Sequence, residues 1–213
     1  MGREGGAAMT AETITMMPAN ATIHPGWVRV CHWVNALAIL VMIGSGWQIY
    51  NASPLFGFTF PGSITLGGWL AGALLWHFAA MWVLVINGIV YLTLGILTGR
   101  FRRKLLPIRP SEVVADVKAA LTFKLAHEDL SHYNAVQKLL YSGVILAGVV
   151  IVLSGLSIWK PVQFQELTAL FGGYDTARYV HFFAMAAIVG FLIVHVALAL
   201  IVPRSLRAMV TGR

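Results

Sequence analysis

Four apolar stretches, each long enough to cross a bilayer, constrain this chain more than any other feature. They run from Val28 to Tyr50, Leu66 to Leu97, Val136 to Trp159 and Arg178 to Val202. About 20 mostly apolar residues suffice for a helix to span a hydrocarbon core of roughly 30 Å. Because a spanning backbone in lipid must satisfy its own polar groups, and helices do so within one segment, the stretches predict an all-α fold: an integral membrane four-helix bundle. The second stretch is long enough to tilt or to project beyond the bilayer. A composition of 58% apolar and 11% charged residues agrees, being far from the balance of a soluble domain.

Charge placement orients the bundle. The connection from Gly99 to Lys138 carries eight Lys or Arg residues, and Arg204, Arg207 and Arg213 follow the last stretch. The connection from Asn51 to Thr65 is uncharged, and that from Lys160 to Arg178 holds only those two cations with Glu166 and Asp175. Basic loops remain on the cytoplasmic side, so both termini and the middle loop are expected there, in a bacterial inner membrane. The net charge of +7 is then a signal of topology and of lipid contact, and a nucleic-acid partner is not expected. Residues 1–24 lack the apolar core of a signal peptide and are expected to form a mobile cytoplasmic tail, with Met9, Met16 and Met17 as alternative starts. Within the middle loop, Pro107 and Pro110 punctuate the chain before a short amphipathic helix from Ser111 to about Lys124. That helix reads as an interfacial connector without chemistry.

Histidines carry the functional signal. His32, His77, His181 and His195 lie inside or at the mouths of the apolar stretches, where ionisable or metal-binding side chains are costly and usually functional. His181 and His195 are fourteen residues apart, which places them on nearly one helix face and roughly 21 Å apart along the axis. Topology pairs the four by depth. His32 and His195 fall in the cytoplasmic half of the membrane, His77 and His181 in the periplasmic half. Two stacked haems, each held between two helices, would use all four, with residues 25–213 forming the di-haem domain.

Arginines stand beside two of these histidines. Arg29 precedes His32, and Arg178 precedes His181, by three residues, so each guanidinium shares its histidine's side of the helix at a membrane face. There each could pair with a haem propionate or serve as an ordinary interfacial anchor. Gly46, fourteen residues after His32, could make room for the second macrocycle, whereas Gly68 and Gly72 read as helix packing. Cys31 stands alone without a C-x-x-C-H pattern, so covalent haem attachment and a disulfide are both unsupported. It reads as packing. His24 and His127 lie in polar segments and are expected to be solvated, and the Met and Trp residues of the spans to face lipid or its interface.

The string Arg29-Val30-Cys31-His32-Trp33, a histidine in the second span, and Arg178-x-x-His181 with His195 together resemble the bacterial di-haem cytochrome b561 family. That family includes the cytochrome subunits of formate dehydrogenase, thiosulfate reductase and nickel-iron hydrogenase, and the likeness covers about Pro25 to the C-terminus. It implies two b haems in a four-helix bundle. His132-Tyr133-Asn134-Ala135-Val136-Gln137-Lys138 is similar to the Y-N-x-G-Q-K segment of formate dehydrogenase gamma subunits, in which the asparagine helps to bind quinone. By that resemblance Asn134 is a quinone ligand beside the inner haem, with Gln137 and Lys138 as neighbours, although Val136 replaces the family's glycine. Asn134 also suits the N-cap of the third helix.

The expected function is therefore electron transfer across the membrane between the quinone pool and a periplasmic catalytic redox subunit, with a molybdopterin oxidoreductase as the first partner and a nickel-iron hydrogenase as the second. A stand-alone quinone-linked superoxide oxidase would need no partner, and a transporter using the histidines as a relay would hold no haem. The orientation is tested by reporter fusions placed after Arg213 and between Asn51 and Thr65. These should report opposite sides of the membrane, and one compartment for both would overturn the depth pairing.

Overall fold

The computed structural model describes residues 23–121 and 133–212. In chain order its helices are α1 (Gly26–Ala52), α2 (Leu70–Leu97), α3 (Arg100–Leu105), α4 (Pro110–Leu121), α5 (Ala135–Trp159), α6 (Gln165–Leu170), α7 (Tyr174–Ile201) and α8 (Pro203–Thr211), with one 3-10 turn at Gly62–Ile64. Helices α1, α2, α5 and α7 are long and apolar enough to cross a membrane. The chain is a multi-pass, all-α membrane bundle.

Two of the four spans begin where the apolar runs do, and two do not. Helix α2 starts four residues later than its run because Gly67 and Gly68 take φ of 108° and 71°, and a Cβ on Gly67 would collide with the backbone of Ala73. Gly68 thus belongs to a turn, not to helix packing. Gly72 does mediate a close approach, since its own Cβ would strike the Gly67 carbonyl oxygen. Helix α7 starts four residues early, directly after Gly172 and Gly173, whose φ values of 81° and 98° end the preceding turn. Hydropathy cannot register such backbone stops, because they depend on the left-handed region that glycine enters without a Cβ penalty.

Close packing is concentrated within two hairpins, α1 with α2 and α5 with α7. Small side chains make this possible: Ala38, Ser45, Ala73 and Ala80 are buried in the first hairpin, and Ser154, Ser157, Ala177 and Ala184 in the second. In lipid, where apolar surfaces gain little by leaving the solvent, close backbone approach and interhelical hydrogen bonds hold helices together. The first hairpin adds such bonds. Asn87 Nδ2 donates to Asn35 Oδ1 at 2.7 Å and to the Cys31 carbonyl at 2.8 Å. Cys31 itself is a buried free thiol, as expected for a packing residue. Between the hairpins the spanning helices approach only sparsely at the backbone level.

The two ends of the bundle differ. At one end the uncharged connection after α1 is tied down by Asn51, whose amide nitrogen donates to the Phe60 carbonyl and whose amide oxygen accepts from the Phe60 backbone N–H, both at 2.8 Å. Phe56 from this connection packs on Tyr179, Phe182 and Phe183 of α7. The opposite end is basic and carries α3, α4 and α8. Helix α4 is tied to the next span: Asp116 Oδ2 accepts from the Ala135 backbone N–H at 2.7 Å, which places a carboxylate on the positive N-terminus of α5. The remainder of the expected helix, to Lys124, lies outside the described residues. Helix α8 is amphipathic, with Arg204 and Arg207 exposed and Ala208 buried, and Trp33 Nε1 donates to its Met209 carbonyl at 3.3 Å. Of the expected tail only Ile23 and His24 are described. Both are held, Ile23 by a backbone hydrogen bond to the Gly212 carbonyl at 2.9 Å and His24 by Arg100.

Candidate cofactor sites between the hairpins

Each site takes one histidine from each hairpin. His77 on α2 faces His181 on α7 with ring centroids 6.5 Å apart and planes at 61°. His32 on α1 faces His195 on α7 at 6.0 Å and 53°. These are the two pairs that depth alone selects. A metal–imidazole bond of about 2 Å, with the bonded nitrogen lying about 1 Å from the ring centre, puts two imidazoles on opposite sides of one metal with centroids roughly 6 Å apart. Both observed separations fit that geometry. Among the described residues no three His, Cys, Asp or Glu side chains gather into an all-protein metal site. Two-histidine sites suit a metal whose other ligands come from a macrocycle, as axial imidazoles do for haem iron.

The pair nearer the uncharged end is held by its neighbours. His77 Nδ1 lies 3.1 Å from Ser45 Oγ, and His181 Nδ1 lies 3.1 Å from Ser154 Oγ. Each serine is fully buried and donates to a carbonyl one turn back, Ser45 to Val41 at 2.6 Å and Ser154 to Val150 at 2.7 Å. The glycine after each serine gives the ring its place, since a Cβ on Gly46 would lie 3.4 Å from His77 Cε1 and one on Gly155 would lie 3.2 Å from His181 Cε1. Gly46 thus lies against the imidazole of His77.

The pair nearer the basic end has different surroundings. His32 Nδ1 is buried without a hydrogen-bond partner among the described residues, while Trp33 meets its ring edge-on at 5.1 Å. Phe191 stacks on His195 at 5.4 Å and 15°. From Phe191 an aromatic series leads outward through Tyr141 at 6.2 Å to Tyr133, a further 5.0 Å away. Lys104 Nζ lies 5.9 Å from the Tyr133 ring centre. Burial pushes the Tyr133 phenol up, partly offset by the nearby Arg100 guanidinium.

The remaining candidates are placed as follows. Arg29 Nη1 donates to the Val210 carbonyl at the end of α8 at 2.9 Å, and its buried Nε has no partner among the described residues. Arg178 donates to the carbonyl and hydroxyl of Ser53. Asn134 and Gln137 form a capping box on α5: Asn134 Oδ1 accepts from Gln137 N at 2.7 Å, and Gln137 Oε1 accepts from Asn134 N at 3.1 Å. Both amide oxygens are thus used at the helix start. Lys138 Nζ donates to the Pro107 carbonyl at 3.4 Å. His24, expected in solvent, instead has its Nδ1 3.2 Å from Arg100 Nη2. Burial, with Arg100, Lys104, His32 and Arg29 in support, lowers its pKa to about 4, so at neutral pH the uncharged ring accepts the arginine's hydrogen bond. His127 lies outside the described residues.

Sequence reasoning missed the two serines, although a signal was present. The chain contains a degenerate internal repeat: His77-Phe78-Ala79-Ala80-Met81 matches His181-Phe182-Phe183-Ala184-Met185, and Ser45-Gly46 matches Ser154-Gly155. Helices α2 and α7 are both 28 residues long. The two hairpins are copies of one pattern.

The family described as prokaryotic cytochrome b561 matches residues 23–212, a span that includes every described residue. A protein from Azospira oryzae, provisionally named as a protein-methionine-sulfoxide reductase subunit, YedZ1, is 54% identical over 190 residues, covering 89% of this chain and 96% of its own. Bundle, histidine pairs and family coincide: the chain belongs to the prokaryotic cytochrome b561 family and is a haem-binding membrane electron-transfer protein.

Proposed function

We propose that the chain carries two b haems and passes electrons from membrane quinol to a catalytic subunit on the periplasmic face. The observation that carries this reading is the existence of two facing imidazole pairs, 6.0 and 6.5 Å between centroids, at two depths of one bundle. A haem held at each pair would supply a one-electron couple, with a potential set by the histidines that hold it and by their surroundings. His32 with His195 would hold the cytoplasmic-side group, and His77 with His181 the periplasmic-side group. Arg29 and Arg178, at the bundle ends, are the candidates for steadying propionates, and the buried Nε of Arg29 favours that role for it.

The partner is proposed from the relative's name. A subunit of a protein-methionine-sulfoxide reductase serves an enzyme that takes up two electrons and two protons for each sulfoxide and releases the thioether and water. Quinol oxidation to quinone yields two electrons and two protons, so the stoichiometries match. The relative's name, not the stoichiometry, favours a methionine-sulfoxide-reducing partner over a formate dehydrogenase or hydrogenase, and with it outward electron flow. A molybdopterin cofactor in that partner is the finer part of the proposal. Its docking face is the connection from α5 to α7, where Val162, Phe164, Leu170 and Tyr174 are exposed and the aromatic residues offer contact area.

Three measurements test this reading. Purified protein should contain two b haems per chain by absorption and haem assay; His77→Leu or His181→Leu should remove one, and His32→Leu or His195→Leu the other. A single haem or none in the unmodified protein would sink it. For the quinone site, Asn134→Ser preserves an N-cap, whereas Asn134→Ala costs about 1 kcal/mol of helix stability. If the amide binds quinone, both substitutions should slow haem reduction by quinol severalfold; a rate that falls only for the alanine variant assigns Asn134 to capping alone. Crosslinking from native membranes through a photoreactive group at Val162 or Leu170 should capture a periplasmic reductase, and full turnover of the isolated chain without one would favour a stand-alone oxidase.

A further inference from the structure

We propose that Ser45 and Ser154 are positioning residues that fix the tautomer of the His77–His181 pair and lower the redox potential of the haem held there. The inference rests on the haem reading above and adds two residues to it. Its basis is a contact that occurs twice. In both hairpins a fully buried serine on the first helix meets Nδ1 of the histidine on the second at 3.1 Å.

Hydrogen-bond direction follows from the shortest contacts. A serine hydroxyl has one proton and two acceptor lone pairs. The distances of 2.6 Å from Ser45 Oγ to the Val41 carbonyl and 2.7 Å from Ser154 Oγ to the Val150 carbonyl assign that proton to the backbone in each case, a habit of serine in helix interiors. Each Oγ then faces its histidine with a lone pair. Nδ1 must supply the proton, which the serine oxygen shares with the Met42 carbonyl beside His77 and the Ile151 carbonyl beside His181, and Nε2 keeps its own lone pair for the metal. Because the hydroxyl is itself donating, its oxygen is polarised into a better acceptor. A hydrogen bond from the far ring nitrogen raises the donor strength of a metal-bound imidazole, which favours ferric over ferrous iron.

Among the described residues no serine meets a ring nitrogen of the other pair. His32 Nδ1 is buried with no partner among the described residues, and thirteen residues before Ser154, where the repeat would place a second His32, stands Tyr141. The two sites therefore differ in a property that sets potential, although their ligands are chemically the same. Glycine completes the device, since Gly46 and Gly155 let each ring lie against the serine-bearing helix.

The test uses spectroelectrochemical titration of the whole protein, with each haem assigned from the His32→Leu and His77→Leu variants. Ser45→Ala and Ser154→Ala should each raise the potential of the His77–His181 haem, the double substitution should raise it further, and the other haem should not move. Threonine at either position, which keeps a hydroxyl, should restore the original value. Both haems retained with neither potential changed would overturn the proposal. If the alanine variants lose the haem, Ser45→Cys and Ser154→Cys, which keep the volume but replace the oxygen by a weak acceptor, decide: a raised potential of that haem supports the assignment, and an unchanged one overturns it. An unmodified protein without haem would overturn the functional reading itself, a different result from haem whose potential ignores the serines.

Discussion

Hydrocarbon gives helices little reason to associate through apolar surface, so the bundle depends on contacts that need backbone proximity or a shared polar group. Within each hairpin small residues supply the first kind, and Asn35 with Asn87 adds the second in the first hairpin. Between hairpins neither dominates. There the facing histidines occupy the interface, and each pair draws one ring from each side. At the uncharged end aromatic contacts join the hairpins, where Tyr50 and Phe56 meet Phe182.

Much of this was legible in the chain. Run length placed all four spans because a membrane selects on hydropathy and length, and the fourteen-residue interval with loop charges was enough to sort the histidines by depth. Span ends at Gly67 and Gly173 were not legible, since a left-handed backbone leaves no hydropathic trace. Ser45 and Ser154 escaped because a lone serine in a spanning helix usually bonds its own backbone, and only the fold shows the same oxygen also meeting a ring nitrogen. For Asn134 the sequence permitted either a cap or a quinone ligand. The structure builds the cap with Gln137, a partner the sequence had assigned to quinone. His24 was misjudged because its partner, Arg100, is distant in sequence.

The repeat shows where two like halves have diverged. His77 and His181 occupy matching places, as do the serines beside them. His32 and His195 do not: their counterparts are Tyr141 and Tyr91. The pair near the uncharged end thus occupies equivalent positions of the two halves, while the other pair exists in only one of two equivalent positions. Basic residues follow the same duplication, with Arg100 and Arg103 after α2 matched by Arg204 and Arg207 after α7.

Because every histidine pair straddles the two hairpins, neither half of the molecule can hold a ligand between imidazoles by itself. A molecule bound by both rings acts as a clamp, and its binding free energy is added to that of assembly by mass action. Filling the site and joining the halves would then be linked equilibria, the group between the rings adding to the hydrogen bonds of Arg29, Trp33 and Arg178 that already cross from one hairpin to the other.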